Sequence, residues 1–310
     1  MKTAKKVWII VAVCLIVLGA IISAFSLAKL NFDFESLSTE KVISNEHNIT
    51  EDFSNIKIDV NTSDIEFVRS ENSSCMVVAV ETGKIKHTVT VNNDTLLISV
   101  KDSREWYEHI GISFGKMSVT VHLPKDSYAS LNIEADTGDV TIPKDFAFGN
   151  VEIETDTGDV GMLSNVSETL DISTDTGDVK IQEITAQNII LETDTGRTYL
   201  TNVNCNSLVS SGDTGDIGFK NVDAGKKFSI TRSTGDIKFD QCDADELYIK
   251  TSTGDVEGLL STSKIFVCET STGDIIVPPT TQGGKCEIIT DTGDIRIQVK
   301  RTVSHGYCIR

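Results

Sequence analysis

Apolar and polar residues alternate in two short runs on either side of a repeated Thr-Gly pair. In the stretch LDISTDTGDVKI, apolar side chains stand seven and five positions before the glycine, at Leu170 and Ile172. They return two and four positions after it, at Val179 and Ile181. A period of two is typical of a strand with one buried face. Each copy therefore predicts two short strands joined by a Thr-Gly corner.

This unit recurs every 19 or 20 residues. The corner glycines are Gly138, Gly158, Gly177, Gly196, Gly215, Gly235, Gly254, Gly273 and Gly293. One such unit cannot bury its own apolar face, whereas a stack of units can, each strand pairing with its equivalent in the next. The fixed period favours this arrangement over a sandwich of antiparallel hairpins. We therefore predict an all-β fold, a single-stranded parallel β-solenoid (β-helix) of 19–20-residue coils.

Two further features of the repeat carry structural predictions. Glycine at the corner indicates a positive φ angle or a close backbone approach. A third apolar position follows seven residues after the glycine and predicts a third short side of each coil. It is occupied by Ile184, Val203, Val222 and Cys242.

The amino-terminal region predicts a membrane helix. Residues 7–28 contain no charge, and as a helix they would span ~33 Å, the thickness of a bilayer's hydrocarbon core. Lys2, Lys5 and Lys6 precede them, so residues 1–6 are expected in the cytoplasm and the rest of the chain outside. A cleaved signal peptide ending at Ser26-Leu27-Ala28 is the alternative.

The remaining chain divides by composition. Residues 29–52 are polar and acidic and predict a juxtamembrane linker. Residues 53–130 predict a strand-rich cap with two degenerate coils, with Ser63 and Gly83 at the corner positions, and a hairpin around Asn92-Asn93-Asp94. The TGD-repeat solenoid is expected over residues 131–300. Residues 301–310 form a short basic tail, the expected protection of the carboxy-terminal edge.

Charge excludes one class of function. The formal net charge is −18, and the exported part has neither a basic patch nor an aromatic platform. Such a surface repels nucleic acid.

Asp-Thr-Gly is also the motif around the catalytic carboxylate of aspartic proteases. Those enzymes need two facing carboxylates that share a proton. Here the aspartate recurs in coil after coil, and serine replaces it at Ser233, Ser252 and Ser271. A catalytic group would not be distributed in this way, so the protease hypothesis is rejected.

The paired acids around each corner raise the question of calcium. Stacked coils place like charges roughly 5 Å apart, which is unfavourable. Each aspartate could instead bond local backbone amides in an Asx-turn, which serine also does, or calcium could bridge the carboxylates. The turn interpretation is favoured, no cofactor is predicted, and the weak calcium candidates are Asp156, Asp159, Asp175 and Asp178.

A glycan-active enzyme, a polysaccharide lyase or hydrolase on a β-helix scaffold, is the alternative function. It would need a local break in the repeat with clustered acids, His or Arg. The aromatic cluster Trp106, Tyr107, His109 and Phe114 could be a binding loop, although packing on the cap is the simpler interpretation.

The cysteines show no metal-ligand spacing. Most fit buried positions as small apolar side chains. Cys268 and Cys286 fall on the same strand of consecutive repeats, offset by two residues, and are a possible disulfide.

An apolar amino-terminal segment followed by many S/T-D/S-T-G-D-I/V repeats resembles the bacterial "putative adhesin" family of β-strand-repeat proteins, a domain of unknown function. The resemblance covers roughly residues 50–300 and implies a right-handed solenoid on the outer face of a bacterial membrane, where relatives accompany envelope-stress regulators. It supplies no catalytic residues. The expected function is non-catalytic binding or scaffolding at the cell envelope, with an unidentified envelope or cell-surface partner. A sensor accessory acting through residues 31–130 is a further alternative.

Overall fold

The computed structural model describes residues 2–29, 42–104 and 116–300. Helix α1 spans Lys2–Lys29. Among the described residues, no helix has the length and hydropathy needed to cross a membrane, so the transmembrane span expected at residues 7–28 is not shown. Part of the expected linker (residues 30–41), the aromatic cluster Trp106, Tyr107, His109 and Phe114, and the tail at 301–310 lie outside the described residues.

All other described elements are β-strands. Those before residue 127 are β1 Ile43–Ile49, β2 Asn55–Thr62, β3 Asp64–Arg69, β4 Cys75–Glu81, β5 Ile85–Asn92, β6 Thr95–Asp102 and β7 Ser118–Leu123. The strands that lead into a corner glycine are β8 Ser127–Thr137, β10 Ala147–Thr157, β13 Thr169–Thr176, β15 Asn188–Thr195, β17 Ser207–Thr214, β19 Lys227–Thr234, β21 Glu246–Thr253, β23 Lys264–Thr272 and β25 Gly284–Thr292. The strands that leave a corner are β9 Val140–Ile142, β11 Val160–Met162, β14 Val179–Gln182, β16 Thr198–Asn204, β18 Ile217–Asp223, β20 Ile237–Cys242, β22 Val256–Leu260, β24 Ile275–Ile276 and β26 Ile295–Val299. The short strand β12, Asn165–Val166, pairs with β10.

These strands form two sheets whose inner faces enclose one core. Sheet B contains the strands before the corners and sheet A the strands after them. Equivalent residues of consecutive coils pair in parallel: Ile172 lies between Ile153 and Leu191, and all three are buried. The predicted parallel β-solenoid is confirmed, and the alternating apolar residues fill its interior.

The third side of the coil is a continuation of sheet A. Val203 pairs with Val222 inside the long strands β16 and β18, and both are buried. The chain bends just before these positions at a residue with left-handed backbone. Four non-glycine residues adopt this conformation at equivalent places, namely Glu183, Asn202, Asn221 and Gln241, with φ between 52° and 57°. The sequence analysis did not identify this second corner.

The amino-terminal end is built in a different order from the chain. The coil β2–β3 lies directly beside β8–β9, and β6 and β7 stack on its other side. Beyond them, β5 and β4 run antiparallel to β6 and β7, and β1 runs antiparallel to β4. The segment around Gly83 is therefore a reversed coil, not a degenerate parallel one. The hairpin at Asn92–Asp94 is present, and both Asn93 and Asp94 have the positive φ that a two-residue hairpin turn requires.

The carboxy-terminal end also departs from sequential stacking. The final coil β25–β26 inserts between β21–β22 and β23–β24, so the penultimate coil is outermost. Gly283 and Gly284 make this insertion possible. A Cβ on Gly283 would lie 1.8 Å from the Ser263 carbonyl oxygen, and one on Gly284 would lie 1.7 Å from the Asp245 carbonyl oxygen. Only glycine fits between the two coils at this point.

Candidate functional site

The nine predicted corner glycines form one continuous stack. A Cβ on any of them would lie between 1.9 and 2.2 Å from the corner carbonyl oxygen of a neighbouring coil. Eight also have φ between 134° and 159°, and Gly177 is the exception. Ser63 begins the stack, because its carbonyl faces Gly138. The backbones therefore approach closely at every corner, and φ is positive at all but one.

The aspartate after each glycine forms a ladder of hydrogen bonds between coils. The amide of Asp159 donates to Oδ1 of Asp139 (3.0 Å), and the amide of Asp178 donates to Oδ1 of Asp159 (2.8 Å). The same bond joins Asp236, Asp255 and the later corners to their neighbours. Apart from Asp274 in the outermost coil, these carboxylates thus accept a bond from the amide of a neighbouring coil, which differs from the local Asx-turn expected from the sequence. This bond compensates part of the repulsion between stacked charges.

Arg197 interrupts the ladder once. Its amide donates to Asp178 as usual, at 2.9 Å, and its guanidinium also reaches Oδ2 of Asp178 at 2.7 Å. Partial burial would raise the pKa of Asp178, but the hydrogen bonds from Arg197 outweigh it and hold this pKa below its ordinary value. Arg197 therefore replaces a negative charge by a positive one in the middle of the stack.

The aspartates before Thr-Gly have a different environment. Asp156 and Asp175 are exposed, whereas Asp159 and Asp178 each have one oxygen occupied by an amide. Within the described ranges, no three His, Cys, Asp or Glu side chains are grouped closely enough to hold a metal ion. The four calcium candidates therefore do not form a closed coordination site in this part of the chain.

Carboxylates also line a shallow depression of about 200 Å³ on the outer face of sheet B. Asp59, Glu134 and Glu154 occupy the same position in three adjacent coils, and Asp136 and Asp156 lie beside them. Lys57 binds Glu134 at 2.7 Å. The lining contains neither His nor Arg. Asp59, Glu134 and Glu154 are successive members of one stacked row, and Glu134 is the member that the Lys57 ammonium contacts.

The cysteine pair is adjacent but not bonded. Strands β23 and β25 are neighbours, and the register places Cys286 opposite Phe266, two residues from Cys268. Both cysteines are free thiols in the structure, so the possible disulfide is absent from it. Burial raises the pKa of Cys268 to about 11 and that of Cys286 to about 12, so neither thiol is reactive near neutral pH.

A buried polar network in the cap escaped the sequence analysis. The His87 amide donates to Oε2 of Glu81 at 2.6 Å, and Nδ1 of His87 lies 3.2 Å from the same oxygen. Asn45 donates to the other oxygen, and Ser63 Oγ lies 3.5 Å from His87 Nε2. Burial lowers the pKa of His87. Burial would raise the pKa of Glu81, but its hydrogen bonds from His87 and Asn45 lower it overall.

This Ser–His–Glu arrangement is not assembled for nucleophilic catalysis. Ser63 donates its hydroxyl hydrogen to the Thr62 carbonyl at 2.7 Å, and only 3% of the residue is exposed. A nucleophile needs its proton directed at the base and an open path to substrate. The network instead joins β1 and the corner between β2 and β3 to the reversed coil.

The sequence analysis also did not identify Arg232, a buried arginine inside the solenoid. It is fully buried at a position where most coils have threonine. Its guanidinium donates to the Thr193 carbonyl and to Thr198 Oγ1, and its Nε has no partner. Gly212 in the adjacent coil makes room, because a Cβ there would lie 2.0 Å from Nη1 of Arg232. The paired departure from threonine at 212 and 232 is the sequence signal that could have revealed this contact.

Comparison with known proteins agrees with this architecture. The family model described as Toastrack DUF4097 matches residues 53–221 and 201–308. No protein of curated function matches the chain. A crystal structure of a putative adhesin from Parabacteroides distasonis is similar, with 15% identity, a TM-score of 0.52, and coverage of 84% of this chain and 98% of that one. A putative adhesin from Bacteroides fragilis has 19% identity and a TM-score of 0.42, covering 85% and 99%. A putative lipid binding protein from Parabacteroides distasonis has 13% identity and a TM-score of 0.39, covering 83% and 97%. The parallel β-solenoid and the matched residues together establish that the chain belongs to the Toastrack DUF4097 family.

Proposed function

We propose that this protein is a membrane-anchored, extracytoplasmic solenoid that binds or scaffolds other components of the bacterial cell envelope and is not an enzyme. The repetition of the outward-facing groups carries this proposal. Aspartate recurs after the corner glycine in most coils, and Asp59, Glu134 and Glu154 form a second acidic row on sheet B. A row of like charges that extends over several coils suits an extended partner. The similarity to proteins described as putative adhesins supports the same conclusion.

The outer face of sheet B is the surface we assign to this binding. Glu152, Glu154 and Glu192 are exposed there, and Glu134 and Asp171 are half-buried. The pKa of Asp171 is raised by burial and by the nearby charges of Glu152 and Glu192. Carboxylates crowded in this way favour a partner that brings positive charge or many hydrogen-bond donors.

Retention of the full-length protein on isolated bacterial cell-wall and membrane fractions tests the binding. Two variants with the same change in charge are compared. The first neutralises sheet B with Glu134→Gln, Glu152→Gln and Glu154→Gln. The second neutralises sheet A with Glu66→Gln, Glu183→Gln and Asp240→Asn. We expect retention of the wild type and the sheet A variant and loss for the sheet B variant. Equal retention of all three would reject sheet B as the binding surface.

Catalysis and location need separate measurements. Incubation with a panel of bacterial polysaccharides should release no more reducing ends or unsaturated sugars than heat-denatured protein does, and any greater release would favour the glycan-active alternative. The anchor rests on the uncharged segment at residues 7–28. We expect the chain to stay in the membrane pellet after carbonate washing and to be cleaved by protease added to intact cells. Release by carbonate or full protection from protease would contradict the proposed location.

A further inference from the structure

The two ends of the solenoid differ in polarity. At the amino-terminal end, the outermost strand of sheet A is β1, whose Ser44, Glu46 and Asn48 are exposed. At the other end, β23 and β24 are the last strands of their sheets, and among the described strands each has a paired neighbour on one side only. We call the surface formed by β23 and β24 the end face. An open strand edge of this kind readily pairs with another strand.

The end face exposes more apolar residues than the coil beside it. Ile265 and Val267 are 45% and 50% exposed, and their partners in the next coil are Lys285 and Glu287. On the other sheet, Ile276 is 59% exposed and pairs with Arg296. Grouped exposed apolar residues of this kind mark interaction surfaces.

Core positions are also incompletely covered at this end. Phe266 and Cys268 are only half-buried, although their partners Cys286 and Ile288 have no exposed surface. Ile275 is 43% exposed, whereas its partner Ile295 is fully buried. The end face therefore has the composition of an interior section of the solenoid. One more layer would bury it.

Charge identifies which partner fits. The chain has a net charge of −18, but between Lys264 and Gly283 its charged residues are Lys264, Glu269 and Asp274. Lys264 is buried and paired with Asp243 at 2.6 Å. Two copies can therefore approach through this face with little of the repulsion that the rest of the surface would produce.

We propose that the end face binds a second copy of this chain across a twofold axis, with β23 paired to its own equivalent. A twofold axis perpendicular to two identical strands makes them antiparallel, and such a contact closes after two copies. Antiparallel pairing also places the acidic corners of the two copies at opposite ends of the strand pair. In the described part of the amino-terminal end, Ile43 of β1 is 50% exposed, but the exposed residues that follow it are the polar Ser44, Glu46 and Asn48, which match the end face poorly for a head-to-tail chain.

The available area agrees with a dimer of modest affinity. β23 has 9 residues, a length of roughly 30 Å at ~3.3 Å per residue, and two packed sheets with their side chains are roughly 20 Å wide. Each copy would bury roughly 600 Å², about 1,200 Å² in total, at the lower limit of stable interfaces. Association in the micromolar range is expected.

Sedimentation velocity of the full-length chain between ~1 and ~100 μM, in density-matched mild detergent, tests the proposal. We expect the mass to rise from 33.7 kDa to twice that value. Val267→Lys should abolish the rise. Ile190→Lys is the matched control, because Ile190 occupies the same outward position in an interior coil and is 40% exposed. This control should still dimerise.

Several results would overturn the proposal. They are a wild type that remains monomeric to ~100 μM, a dimer that survives Val267→Lys, and a mass that grows beyond two copies. A chain that dimerises only after deletion of residues 301–310 would show that this segment occupies the end face instead. If Val267→Lys does not fold, hydrogen exchange of the wild type decides: amides of Lys264–Thr272 should exchange several-fold more slowly at the higher concentration, and unchanged exchange would reject the dimer.

Discussion

Replacing a corner glycine by alanine separates the two roles that this residue has in the solenoid. These roles are to adopt a positive φ and to leave room for the neighbouring coil's carbonyl group. Gly196→Ala disturbs both, because φ is +150° and the new Cβ would lie 1.9 Å from the Gly177 carbonyl oxygen. Gly177→Ala disturbs only the close approach. Its Cβ would also lie 1.9 Å from a corner carbonyl, but its φ is outside the left-handed range. Gly161→Ala disturbs neither role, since its Cβ would lie 3.8 Å from the Val140 carbonyl oxygen.

The expected losses follow from these geometries. Relief of the steric overlap requires the coils to separate by more than about 1 Å. This separation would stretch the backbone hydrogen bonds, 2.9–3.0 Å long, that hold neighbouring corners together. Overpacking of this kind costs about 1–3 kcal/mol, and a left-handed or extended positive-φ backbone in a non-glycine residue costs about 1–3 kcal/mol more. We expect destabilisation by about 2–6 kcal/mol for Gly196→Ala and about 1–3 kcal/mol for Gly177→Ala. Gly161→Ala should be neutral or stabilising by up to about 1 kcal/mol.

Urea unfolding followed by far-ultraviolet circular dichroism measures these differences, with the m-value checked for each variant. Because coils contact only their neighbours, a lower m-value would indicate local opening at the altered corner. The order of the three variants is the critical result. Equal losses for Gly177→Ala and Gly161→Ala would refute the argument from close approach. Equal losses for Gly196→Ala and Gly177→Ala would refute the contribution of φ.

Three further outcomes follow from the corner ladder, the cap and the thiols. Arg197→Asp gives the Asp216 amide an acceptor but adds negative charge, so we expect a lower Tm at ~10 mM salt and no difference near ~1 M; a loss that persists in salt would contradict this. Burial lowers the pKa of His87 from its ordinary value of 6.5. The free energy of unfolding therefore has its full contribution from the neutral ring above pH 6.5, and this contribution is lost as the pH falls below that value. Urea unfolding between pH 8 and pH 5 should show this decline in the wild type and a smaller one in His87→Gln, and equal declines would exclude His87 as the cause. Cys268 and Cys286 should resist iodoacetamide at pH 8 until the protein is denatured, and mass spectrometry showing modification of the folded protein would contradict the raised pKa values.

The interior of the solenoid could be predicted because its signal is repeated. Leu170, Ile172, Val179 and Ile181 alternate in one coil, and the same alternation in every other coil leaves one consistent way to bury them. The glycine at the corner was predicted for the same reason. By contrast, the sequence suggested a local turn for Asp159, and the structure has an amide of the next coil in its place. An amide of the same turn and an amide of the next coil can each donate to the Asp159 carboxylate, so the sequence of one coil does not distinguish the two hydrogen bonds.

The ends could not be predicted because the repeat defines each coil but not its neighbour. Gly273 and Gly293 stand in the same motif, so either coil could have been outermost. The only signal for the insertion is the pair Gly283-Gly284. In the sequence this pair indicates no more than a flexible loop, because the carbonyl groups that require glycine there belong to other coils. Arg232 and His87 were missed for a related reason: they are single departures from a pattern, and each contacts a residue in another coil, Thr193 and Ser63 respectively.

The insertion of β25–β26 has a consequence for synthesis of the chain on the ribosome. The coil β23–β24 is made first, but both of its final neighbouring strands belong to the coil that follows it. At roughly 5–20 residues per second, the completed β23 would wait roughly 1–5 s for β26 to be complete. During that time, β21 presents an edge with the same period and the same corner, on which β23 could dock in the wrong place. Quality control that removes incomplete chains, or a factor that holds β23 until β25 emerges, would therefore act on this step in particular.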